Sequence, residues 1–269
     1  MWQIAERPQR VPCPRIDLQG VRVDAVDGQG AEQLLRPLLV EPGCAHVVTA
    51  NIEYVRQAAS DEQLRRIVNS AALVVPDGMP VVWAAKAAGA PVSRRLTGHD
   101  LVQSLVELST SEGVSLFFLG AAPGVGEQAA GNLRERYPGV RIAGVYSPPL
   151  CAYPFPEEED RRMIEAVNSS GANALLVALG CPKQDLWIAS HRDELRVSLA
   201  MGVGCVLDVL AGTVRRAPAW LQAAGLEWLY RLSREPRRLW RRYLRDAAFM
   251  SLLLYQGARA RLWSRGIDR

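Results

Sequence analysis

The sequence has little with which to hold a metal ion or a disulfide. Its five cysteines, at positions 13, 44, 151, 181 and 205, include no CxxC pair. An odd, unpatterned set reads as reduced thiols rather than a disulfide framework or a zinc site. The three histidines (46, 99 and 191) show no HExxH or HxH spacing, so no metal is expected to be held through them. No DxD tripeptide occurs, and the only acidic cluster, Glu157 to Asp160, falls where a helix should begin. A bound diphosphate would then be held by arginine, lysine and backbone amides. There is no GxxxxGK(S/T), GxGxxG or GxSxG, which leaves no sign of a P-loop, a dinucleotide fingerprint or a nucleophile elbow. No run reaches the roughly 18 apolar residues of a membrane span; the longest late one, AAFMSLLLY, is far too short. The first residues, charged and proline-rich where a signal peptide needs an apolar stretch, read as an unprocessed cytosolic start.

Lysine is also scarce: Lys86 and Lys183 are the only two among 32 basic residues. The charge is unevenly spread. Residues 215–269 hold 13 arginines against 4 acids, a charge of +9, so at a net charge of +4 residues 1–214 carry −5. A basic end on an acidic body points to an anionic partner such as phosphates, an anionic membrane or nucleic acid. A solvated, arginine-rich helix is the plainer alternative.

Hydrophobic periodicity sorts the rest. Residues 15–26 read as two short strands around Gln19-Gly20. HVVTAN, ALVVPDG, VSLFFLG, VRIAGVY and ANALLVALG read as strands, alternating with helical stretches, and residues 197–212 as one or two final strands. Continuous apolar strands between helices mean a mostly parallel sheet covered on both faces, an α/β fold. Ligands bind such sheets beyond the carboxyl ends of the strands. Thr49 and Asn51, Asp77, Gly120 to Gly126, and Lys183 with Gln184 and Asp185 all fall just past strand ends. From Pro218 no strand pattern remains; two or more helices are expected, broken near Glu235-Pro236. If the break keeps the helical phase, Arg231, Arg238 and Arg241 share one face. The division expected is a catalytic domain over 1–214 and a helical appendage over 215–269.

Two jobs fit Asp77 in VVPDGMPVV. A carboxylate amid apolar residues suits a general base; an aspartate before Gly78-Met79-Pro80 also suits a helix cap. GAAPGVG, with Gly120 and Gly124, is either a phosphate-facing turn at a helix start or a plain loop. Arg95 in RRLTGHDL could hold a phosphate bidentately or be surface charge. Lys183 and Gln184 could serve a ligand or simply open a helix.

Taken together, TANIEYV, PDGMPVVWAAKAAG, RRLTGHDL, FFLGAAPGV, GCPKQDLWI and the block from GVGCVLDVLAG to RLWRRYL resemble the WecG/TagA/CpsF glycosyltransferases over about residues 15–245. The resemblance implies a Rossmann-like core. It implies inverting, metal-independent transfer of a sugar from a UDP-sugar to a polyprenyl-diphosphate-linked acceptor at the cytoplasmic membrane face, with no cofactor. It implies Asp77 as base, Thr49 and Asn51 as pocket residues, Arg95 on the acceptor diphosphate and Gln184 in the site. Arg231, Arg238 and Arg241 would close over it from the appendage. Asp185 stands where the family often has glutamate. Partners expected are the donor, the lipid acceptor and an anionic membrane surface, without nucleic acid; exposed apolar residues of the appendage could instead pair subunits. An NAD(P)-linked oxidoreductase and a non-catalytic membrane adapter are the rival readings. The first lacks the third glycine of its fingerprint, and the second gives the polar rim no purpose.

Overall fold

The structure is a computed structural model that describes residues 13–26, 30–90, 92 and 95–267; the N-terminal start and Arg94 lie outside these. The first half runs β1 (Arg15–Leu18), β2 (Val21–Asp24), α1 (Ala31–Val40), β3 (Ala45–Ala50), α2 (Ile52–Ser60), α3 (Glu62–Ser70), β4 (Leu73–Pro76), α4 (Met79–Ala87) and α5 (Gly98–Glu112). The second runs β5 (Ser115–Gly120), α6 (Val125–Arg136), β6 (Arg141–Tyr146), α7 (Glu157–Ser170), β7 (Ala174–Ala178), α8 (Lys183–His191), β8 (Leu199–Gly202) and α9 (Val206–Ala211). Three helices end the chain: α10 (Ala219–Ala223), α11 (Glu227–Arg234) and α12 (Pro236–Ile267).

Six strands form one sheet in the order β4-β3-β8-β7-β5-β6, every neighbouring pair parallel. Helices cover both faces, which is why the inner strands are largely apolar rather than alternating; edge strand β6, opening on exposed Arg141, is only partly buried. On one face Leu34, Leu105, Leu133 and Leu207 pack from α1, α5, α6 and α9. On the other, Val55, Leu64 and Val82 pack from α2, α3 and α4, and Met163, Trp187 and Ile188 from α7 and α8. The β1–β2 hairpin is antiparallel and separate. Buried Asp24 fastens it: it takes Arg15 Nε at 2.7 Å and accepts from the Val74 amide at 2.6 Å. This anchors β4, whose end carries Asp77.

Of the one or two strands expected over residues 197–212, one forms, β8, and the segment that could have been the second is the short helix α9. Gly204, at φ +54°, turns the chain between them and left-handed Gly212 closes the helix. A short apolar run fits strand and helix equally by periodicity alone.

The basic end is docked on the sheet domain. Leu253 is buried in the cluster beneath α2 and α4, with Phe249 and Met250 beside it. A Cβ on Gly257 would lie 2.7 Å from the carbonyl of Ala87, so α12 and α4 meet backbone to backbone. Arg56–Asp246 and Arg242–Glu53, both at 3.0 Å, tie α12 to α2. The break falls at Glu235, whose φ of −133° and ψ of 55° are non-helical. No helix among the described residues is long and apolar enough to cross a membrane.

Candidate active site

Backbone hydrogen bonds assemble the site at the carboxyl ends of β3 and β4. The Asp77 amide donates to Ala50 O at 2.9 Å, joining the exits of the two strands. The Leu96 amide donates to Pro76 O at 3.1 Å, which brings the segment carrying Arg95 beside Asp77. Thr97 and Asp100 then form a capping box that starts α5. Thr49 Oγ1 reaches Gly202 O at 3.4 Å. Asn51 caps α2 by accepting from the Tyr54 amide at 2.9 Å. Gln184, buried at the start of α8, accepts from the Gly204 amide at 3.2 Å. Thr49, Asn51, Asp77, Arg95 and Gln184 line one cavity of about 240 Å³. The appendage forms its other wall through Glu227, Trp228, Arg231, Arg242, Tyr243 and Asp246.

Asp77 is half-buried in that wall. Burial pushes its carboxyl up to about 6; Glu227 and Asp100 push the same way, while Arg231 and Arg95 hold it down. The N-cap position of α4 is Gly78, without a side-chain cap. The carboxylate is thus placed at the cavity rather than on the helix amides. A carboxyl poised near neutrality is suited to accept a proton while remaining largely ionised.

Cations surround it. Arg95 Nη1 donates to Glu227 at 3.1 Å, and Arg231 Nη2 donates to the same carboxylate at 3.2 Å. Arg216 lies within 3.5 Å of Thr97 Oγ1 and 4.0 Å of Asp100. His99 lines the cavity; burial, then Arg216, hold its imidazole below its ordinary pKa, and its Nδ1 is buried without a hydrogen-bond partner. Trp228 and Tyr243 meet edge to face, ring centroids 6.2 Å apart.

The structure does not bring five of the expected residues to this cavity. Gly120 has φ +103°, and a Cβ there would sit 2.6 Å from Ala178 O; its smallness serves the approach of β5 to β7. Gly124 caps α6 in the left-handed region, and neither glycine lines the cavity. Lys183 donates to Cys151 O at 3.1 Å instead. Arg238 pairs with Glu235, and Arg241 stacks over Trp240 at 5.2 Å. The shared arginine face fails because Glu235 interrupts the helix, and α12 presents Arg242 instead. Asp185, one residue past Gln184, turns inward and meets His46 Nε2 at 3.1 Å.

Sequence reading missed Glu227, Arg242, Arg216 and His99. Glu227 and Arg95 are 132 residues apart, and no local pattern joins them. His99 had a weak signal, its place at the start of a helix beside Arg95. Among the described residues, no three His, Cys, Asp or Glu side chains gather where they could hold a metal ion.

A parallel α/β sheet with carboxylates and guanidiniums gathered in a cavity at its carboxyl edge is where a ligand site is expected in this class of fold. The particular family follows from comparison with known proteins. The chain belongs to the glycosyl transferase WecG/TagA/CpsF family, whose model matches residues 16–262. It is similar to an N-acetylglucosaminyldiphosphoundecaprenol N-acetyl-beta-D-mannosaminyltransferase of Bacillus spizizenii, 33% identical over 210 residues, covering 78% of this chain and 79% of the relative. A protein of the same name from Staphylococcus aureus (strain MRSA252) is 30% identical over 195 residues, covering 72% of this chain and 74% of its own. The oxidoreductase and adapter readings are set aside by this membership.

Proposed function

We propose that this glycosyltransferase moves an N-acetylhexosamine-type sugar from a UDP-sugar to a polyprenyl-diphosphate-linked saccharide, with inversion and without a metal. The names of its relatives favour N-acetylmannosamine as the sugar and N-acetylglucosaminyldiphosphoundecaprenol as the acceptor. The observation that carries the mechanism is Asp77, raised to about 6 in a cavity shared with Arg95 and Arg231.

In the step proposed, the acceptor hydroxyl attacks C1 of the donor sugar. Its proton passes to the Asp77 carboxylate as the new C–O bond forms. The bond from C1 to the phosphate oxygen breaks, and UDP leaves with the electron pair. Attack from the face opposite the leaving group inverts the anomeric centre. Guanidiniums are suited to stabilise charge on diphosphate oxygens, because their paired N–H groups match phosphate geometry. Thr49, Asn51 and Gln184 would orient sugar or nucleotide hydroxyls.

The same reading puts the enzyme on the inner face of the cell membrane. Trp220, Trp240, Leu244 and Leu252 are exposed on the appendage, interleaved with exposed Arg234, Arg237, Arg238, Arg241 and Arg245. Amphipathic basic segments of this kind lie at membrane surfaces, with about 1 kcal/mol of attraction per basic residue near anionic lipid. Arg238 and Arg241, outside the cavity, then serve the surface rather than the substrate. In this reading the part before residue 215 supplies the base, and the appendage after it both walls the cavity and meets lipid.

The test is a panel of UDP-sugars with a short-chain polyprenyl-diphosphate-GlcNAc acceptor in anionic vesicles, with and without excess EDTA. The expected result is UDP release and an elongated lipid in both conditions. Strict dependence on a divalent ion would overturn the metal-free step. Silence across several lipid-linked acceptors, with no UDP-sugar binding, would overturn the whole reading.

A further inference from the structure

Glu227 is an acid at the centre of a site built for an anion. It stands on the first turn of α11, and both its oxygens are engaged: one by Arg95 from the sheet domain at 3.1 Å, the other by Arg231 from the appendage at 3.2 Å. The Arg95–Glu227 pair is well withdrawn from solvent, with fractional exposures of 16% and 14%. Such a pair gains little stability after desolvation, and fixing one arrangement of the chain is its best-attested use.

The backbone next to it is seated as closely. Gly225, two residues earlier, has φ +73°, and a Cβ there would lie 2.6 Å from Met79 Cγ. Met79 opens α4, directly after Asp77-Gly78. The Gly225-Leu226-Glu227 turn therefore presses on the segment carrying Asp77 and grips the segment carrying Arg95.

We infer that Glu227 is a positioning residue: it holds Arg95 and Arg231 side by side as one diphosphate subsite. A guanidinium carries five N–H donors, and each of these bonds uses one. A carboxylate on one edge of each guanidinium fixes its plane and leaves its other edges for an anion. Without it, two long, mutually repelling side chains would have to be ordered by the ligand itself, which costs affinity. This role rests on the proposed glycosyl transfer, because the diphosphate is that of the UDP-sugar or of the polyprenyl acceptor. The experiment separates the two.

The test is calorimetric titration of the full chain with UDP and, separately, with a short-chain prenyl diphosphate, for the wild type and Glu227→Gln. The expected result is about tenfold or greater weakening for one of the two ligands and little change for the other. The weakened ligand identifies whose diphosphate the subsite takes. Glu227→Asp keeps the charge but is too short to span both arginines, so it should fall between; it is read in place of Glu227→Gln if that variant does not fold. Three results overturn the inference. Unchanged affinities mean the arginines need no orienting. Equal weakening of both ligands marks a residue that holds only the fold. Tighter binding means that Glu227 competes with the diphosphate. Failure of the wild type to bind either ligand removes the transferase reading itself, and Glu227's role with it, before any variant is made.

Discussion

The carboxyl edge of the sheet has two halves, and the candidate site lies at one of them. β4, β3, β8 and β7 lead into Asp77, Thr49 and Asn51, Gly204 and Cys205, and Gln184, all lining the cavity beneath the appendage. β5 leads into a glycine turn that closes on the fold itself. Gly120 packs against Ala178, its carbonyl accepts from Ser147 Oγ at 3.2 Å, and the Ala121 amide donates to Ala178 O at 2.9 Å. A glycine turn at a strand end is thus only permission for a ligand to approach. A site also needs charged groups aimed at the same space and an element to cover it, and the appendage supplies both over the cavity.

The sharpest way to break this contrast is to remove the proposed base. Asp77→Asn should lower turnover by on the order of 10²–10⁴ while leaving the fold intact, measured by UDP release with a lipid acceptor. Near-normal turnover in a folded variant would remove Asp77 from the chemistry.

Next in size is a paired comparison of a residue that lines the cavity with one that is turned away from it. Arg95→Ala removes a charge-assisted contact worth about 1.5–3 kcal/mol, so kcat/KM should fall by roughly 10- to 150-fold. Lys183→Ala, whose ammonium is committed to Cys151 O, should stay within about threefold. A larger loss at Lys183 than at Arg95 would mean that the substrate lies toward Cys151 and β5 instead.

The smallest effect has the most diagnostic sign. The Asp77 carboxyl stands at about 6 in the folded chain against an ordinary 3.8. Its ionised form therefore opposes folding above pH 6, and the penalty vanishes below the unfolded value. Asp77→Asn should accordingly be the more stable protein at pH 8, by at most about 3 kcal/mol. Partial exposure of the carboxylate brings the gain nearer to about 1 kcal/mol. The gain should disappear by about pH 3, below the unfolded value, as read from thermal midpoints at both pH values. A variant less stable at pH 8 would show that Asp77 supports the fold rather than straining it.

The sheet was legible because strands buried on both faces leave unbroken apolar runs. Thr49, Asn51, Asp77 and Gln184 were legible as polar groups just past those runs. Three things were not. α9 looked like a strand because a short apolar segment has no distinguishing period. Arg242 was overlooked for Arg241 because helical phase does not carry across Glu235. Glu227 was invisible because its partner Arg95 lies across the chain, and pairing at that range is a property of the packed molecule.

The pH dependence of kcat/KM tests the central claim most directly, since it reports the ionisation of groups in the free enzyme. The groups acting on Asp77 are Arg231 and Glu227 from α11, Arg95 from the preceding loop and Asp100 from α5. With these in place, the rate should fall below about pH 6 as the base is protonated, and level off above it. An acid limb near pH 4, or a flat profile, would mean that no carboxylate poised by this cavity takes the acceptor's proton.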